Sequence, residues 1–124
     1  MERLAIRIPP AAAHVASVRA FVGAIGRSLG CSEEAIDDLR LVATEACAQA
    51  IEEETDEIEV RTLVDGHRLL LEIEPSGSFD RAPEELAEVP GRSSRRALIE
   101  GLFPDAEFDR ERELLRIAVP LTAI

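Results

Sequence analysis

Hydrophobic positions along the chain switch between two periods, and the switches mark the elements. Leu4, Ile6 and Ile8 alternate with Arg3, Ala5 and Arg7, the period of a strand with one buried face, and Pro9-Pro10 ends it. Val15, Val18, Val22, Ile25 and Leu29 then recur at three- and four-residue steps, which predicts an amphipathic helix over 11–29 that stops near Gly30. A second helix is predicted over 33–53, with Ser32 as its N-cap and Glu33 and Glu34 in the first turn, where the helix dipole favours carboxylates. Its inner stripe is Ile36, Leu39, Val42, Ala43, Ala46 and Ala50, while Asp38, Glu45 and Gln49 run along one flank. The run Glu52-Glu53-Glu54 puts acid at the end where the dipole disfavours it, so fraying before Thr55 and a solvated charge run are expected.

Alternation returns at Ile58, Val60, Thr62 and Val64 and again at Leu69, Leu71 and Ile73, with Asp65-Gly66 between them as a two-residue type I′ turn. Pro75-Ser76-Gly77-Ser78 breaks the pattern. The acidic, Pro-containing segment from Asp80 to Pro90 reads as a lid-length loop with one helical turn around Glu84–Ala87. A helix over Arg95–Phe103 and a strand at Leu115, Ile117 and Val119 complete the order: strand, helix, helix, hairpin, loop, helix, strand. This order predicts one α/β domain over 1–124, a two-layer sandwich whose mixed or antiparallel sheet of four to five strands carries its helices on one face.

Composition narrows the function. At 124 residues and 46% hydrophobic the chain can bury a core without a staple, yet aromatics are 3%, so Leu, Ile, Val and Ala must fill it. The formal charge of −11 repels phosphate backbones and anionic membranes, and it favours a partner with a basic surface. Neither direct nucleic-acid binding nor a membrane role is expected, and no stretch is long enough to span a bilayer. A cytoplasmic location follows as an expectation. Cys31 and Cys47 fit no metal spacing and read as structural thiols, and His14 and His67 have no partner pattern that suggests catalysis.

The stretch Leu39–Ile51, LRLVATEACAQAI, sets Glu45 and Gln49 one helical turn apart, so a carboxylate and an amide can address one ligand together. Taken alone, Glu45 reads as a partly exposed helix glutamate, Gln49 as the edge of an Ala-rich face, and PSGS as an ordinary turn. The arginines at 92, 95 and 96 read as a solvated helix start or as an anion site.

With its element order, the chain resembles the anti-sigma factor and serine-protein kinase family of the GHKL (Bergerat-fold, histidine-kinase-like) ATPases over nearly its whole length. LRLVATEACAQAI follows that family's first motif, in which Glu acts as general base or positions the attacking hydroxyl and Asn holds Mg²⁺ against ATP. The resemblance implies that Glu45 is the catalytic base and Gln49 the metal and cofactor ligand, with Gln standing where Asn belongs and reaching one methylene further. The second motif, Asp-x-Gly-x-Gly-Phe, corresponds to Glu74-Pro75-Ser76-Gly77-Ser78-Phe79, so Glu74, Ser76 and Ser78 stand at base-binding positions, with Ser replacing both glycines. The third, a phosphate-cradling turn at a helix N-terminus, falls at Gly91-Arg92-Ser93.

The family's role implies a sigma factor and an anti-sigma antagonist protein as partners, and it allows a homodimer. Three functions therefore stand: an anti-sigma regulatory factor that acts by partner switching in transcription control and, if it binds ATP with Mg²⁺, phosphorylates a serine of its antagonist; a nucleotide-free protein-binding module of the same fold; and an unrelated small α/β domain. The last would need a strand-helix alternation that two adjacent helices do not show.

Overall fold

The computed structural model describes residues 3–77 and 91–121; the loop predicted over 80–90, its helical turn and lid, and Ser78 and Phe79 lie outside the described residues. Strand β1 (Arg3–Ile8) leads through a 3-10 turn at Ala12–His14 into α1 (Val15–Ser28) and α2 (Glu33–Glu52). The hairpin of β2 (Glu57–Asp65) and β3 (Arg68–Ser76) follows, then α3 (Arg92–Leu102), β4 (Glu107–Asp109) and β5 (Leu114–Pro120). The five strands form one sheet in the order β1-β2-β3-β5-β4, and each neighbouring pair is antiparallel.

The sandwich predicted from the pattern is present, with its core between α1, α2 and one face of the sheet. Ile36, Leu39, Val42, Ala43, Cys47 and Ala50 of α2 are buried with Val18 and Val22 of α1. Ile58 and Val60 of β2, Leu69, Leu71 and Ile73 of β3, and Leu115, Ile117 and Val119 of β5 meet them from the sheet. The helices approach closely at Gly26, where an added Cβ would lie 2.9 Å from Ile36 Cγ1. Cys47 is enclosed, and burial pushes its thiol up to about 12, as an inert packing residue requires.

Local chemistry moves several boundaries. The first helix begins at Val15 because Ala12–His14 takes the tighter 3-10 geometry. Ser32 Oγ accepts from the Ala35 amide at 3.1 Å, as its capping role predicts. Gly66 has φ +62° and His67 does not share it, and Asp65 faces Arg68, so the hairpin loop is Gly66-His67 with the pattern of a II′ turn rather than Asp65-Gly66 in a I′ turn.

The end of α2 does not fray. Glu54 takes φ +58°, its amide bonds to the Ile51 carbonyl at 3.0 Å, and the Thr55 amide bonds to the Ala50 carbonyl at 3.3 Å, which closes the last turn in a Schellman arrangement. α3 starts three residues before Arg95, and the short strand β4, too brief to show a period, was not predicted.

Candidate functional site

The C-terminal half of α2 and the first turns of α3 face each other across a cleft of about 680 Å³, counted to its open mouth. Ala46, Ala50, Ile73, Pro75, Ile99 and Leu115 form its apolar lining, and Glu45, Gln49, Glu53, Arg92 and Arg95 its polar wall. Each helix end carries charges that its own dipole disfavours: acids at the C-terminus of α2 and arginines at the N-terminus of α3. Side by side, the two mismatches neutralise each other.

Arg95 makes the central contacts. Its Nε donates to Glu45 at 3.1 Å, Nη1 to Gln49 Oε1 at 3.2 Å, and Nη1 and Nη2 to the two oxygens of Glu52 at 2.6 and 2.8 Å. The hydrogen bonds with Arg95 hold the Glu52 carboxyl below its ordinary value. Arg92 donates to Glu53 and, at 2.9 Å, to Glu113, whose backbone sits at φ +53° in the turn before β5. Gln49 Nε2 donates to Glu53 at 2.9 Å, which ties residues 49 and 53 together along one face of α2.

Glu53 corrects the expectation of a solvated acidic run. It is 3% exposed and lines the cleft, and burial pushes its carboxyl up against the opposing pull of Gln49 and Arg92. The signal was present in the four-residue step 45, 49, 53, which continues the Glu45–Gln49 face by one more turn.

Of the residues proposed for the site, Glu45, Gln49 and Arg92 meet in the cleft, and Gly91 stands at its edge as the N-cap of α3 with φ +81°. Ser93 is exposed and outside the lining, and Ser78 lies beyond the described residues. Glu74 and Ser76 do not join them. Successive residues of a strand point to opposite faces, so with Leu71 and Ile73 in the core it is Pro75 that faces the cleft.

Glu74 belongs instead to the open face of the sheet. There Arg61 donates to Glu59, Glu74 and Glu72 at 2.8, 2.9 and 3.1 Å, Arg112 donates to Glu74 at 2.8 Å, and Arg116 donates to Glu72 at 2.7 Å. Burial by itself raises the Glu72 and Glu74 carboxyls, and the arginine hydrogen bonds overcome it and hold both below the usual range.

Fold and cleft together define a two-layer α/β domain with an open cleft where its central helix meets a C-terminal helix. The family model of the histidine kinase-like ATPase domain matches residues 8–118, and the chain belongs to that family. No curated protein matches the chain. Among the described residues no helix is long and apolar enough to cross a membrane.

Membership implies nucleotide binding, typically with Mg²⁺, and the residues of this cleft do not fit that pair. Gln49 Oε1, the expected metal ligand, accepts from Arg95, and so does Glu45. Pro75 presents no hydrogen-bonding side-chain atom where the motif calls for a base-binding acid. The cleft's cations Arg92 and Arg95 are already engaged by Glu53, Glu113, Glu45 and Glu52, which leaves their donors committed within the protein and not to a triphosphate.

Proposed function

We propose that this domain is an anti-sigma regulatory factor that acts by partner switching, holding a sigma factor until an antagonist protein takes its place. In this reading it works as a protein-binding module, without magnesium nucleotide in the cleft. The family and the order of the three motif positions support the regulatory role, and the charge of −11 suits a basic segment of a sigma factor. The observation that carries the nucleotide-free form is the Arg95 guanidinium lying across Glu45, Gln49 and Glu52.

Mixing the purified chain with sigma factors from its own source, followed by size-exclusion chromatography, tests the proposal. A complex with one of them is expected in EDTA, unchanged by Mg-ATP and dispersed by an antagonist. Failure to hold any sigma factor, or a complex that forms only with Mg-ATP, contradicts it.

Membership in an ATPase family supports a second reading, in which the domain phosphorylates a serine of the antagonist with Glu45 as base. In that case Glu45→Ala removes phosphotransfer and leaves the fold intact, and full activity in the variant takes Glu45 out of the role.

A further inference from the structure

We propose that Arg95 is the resident cation of the cleft, a guanidinium built into α3 that satisfies the oxygens of Glu45, Gln49 and Glu52 in place of a divalent metal ion. The inference rests on the nucleotide-free reading and deepens it. Two carboxylates and an amide carbonyl are hard oxygen donors of the kind that Mg²⁺ and Ca²⁺ accept, and here they converge on one positive group. Arg95 spends four N–H donors on them, a fork that a lysine ammonium with three donors on a single atom cannot reproduce.

Gly91, the N-cap of α3, lies beside this guanidinium. The Arg95 amide makes the first i→i−4 bond of α3, to the Gly91 carbonyl at 2.8 Å, and a Cβ at position 91 would lie 3.3 Å from Nη1 at the end of the Arg95 side chain. Gly91 also needs its left-handed φ of +81°. In this chain the glycine expected to leave room for phosphate leaves room for an arginine. Because arginine stays protonated throughout the physiological range, the α2–α3 wall is held closed whatever the metal supply.

Thermal unfolding of the full chain, followed by circular dichroism in EDTA and in millimolar Mg²⁺ or Mn²⁺, tests the assignment. The wild type is expected to melt at the same temperature in all three. Arg95→Met, which keeps the stem and removes the charge, is expected to melt roughly 4 °C lower in EDTA and to recover when metal is added. A wild type that gains from metal as the variant does, or a variant that loses nothing or does not respond to metal, overturns the proposal.

Should Arg95→Met fail to fold, the Arg95 Nε–H resonance of the wild type decides by nuclear magnetic resonance. A resolved, slowly exchanging signal that Mg²⁺ leaves in place is expected, and one averaged with the exposed arginines refutes the lock. Nucleotide binding by the wild type in EDTA would refute the nucleotide-free reading and leave this resonance to judge Arg95 separately.

Discussion

Two arginine–glutamate networks run through this domain, one on the open face of the sheet and one beside the cleft, and they differ in what happens to their most buried acid, Glu72 on the sheet and Glu53 in the cleft. On the sheet, Arg7, Arg61, Arg112 and Arg116 interleave with Glu59, Glu72 and Glu74, and all three carboxyls are held below their ordinary values. In the cleft network Arg95 likewise holds Glu52 below its ordinary value, but Glu53, shared by Gln49 and Arg92, is pushed up, because burial outweighs its partners. A flat strand face lets each charge meet its partner at the surface, whereas the closure between α2 and α3 takes an acid out of water before it is fully compensated. The first network has the character of scaffold, and the second has the cost expected of a site.

The largest effect belongs to the centre of the sheet network. Arg61 is 13% exposed at its side chain and serves three glutamates, so Arg61→Met leaves like charges together and should cost about 3 kcal/mol in urea unfolding. A loss under about 1 kcal/mol would show that the face is held by the core beneath it.

Acid separates Glu53 from the acids of the sheet by sign. Glu59, Glu72 and Glu74 titrate below their unfolded values, so their contribution is complete above the usual carboxylate range and disappears as pH falls through the lowered values. Glu53 titrates above its unfolded value, so its stabilisation is present at low pH and is lost as pH rises through the raised value. Removing Glu72 with Glu72→Gln should therefore flatten the acid limb of the stability curve, while Glu53→Gln should remove the loss on the higher-pH side. At neutral pH, Glu72→Gln is expected to cost about 1–2 kcal/mol, and Glu53→Gln, the smallest effect, to change stability by under about 0.5 kcal/mol in either direction. Equal losses in the two variants would erase the distinction.

Most of the scaffold was legible because two-residue and three-to-four-residue periods are direct records of burial. Leu69, Leu71 and Ile73 mark their strand by alternation alone, and Ser32 marks the start of α2. The same alternation already placed Pro75 inward and Glu74 outward. Glu74, which stands at the family carboxylate's place in the motif, is one residue from the cleft-facing Pro75, and in a strand one residue is the opposite face. The cleft was half legible: Glu45 and Gln49 are one turn apart in sequence, but Arg95 is 50 residues from Glu45 and Arg92 is 39 from Glu53. Local periodicity carries no record of such pairs. β4, three residues long, is below the length at which a pattern can form.

The most direct test of the central claim, that arginine closes this cleft to magnesium nucleotide, is calorimetric titration of the wild-type chain with ATP and ADP in the presence of Mg²⁺. No saturable heat at millimolar nucleotide is the predicted result. Saturable binding that is lost in Gln49→Ala would contradict the account and return the cleft to its family's chemistry.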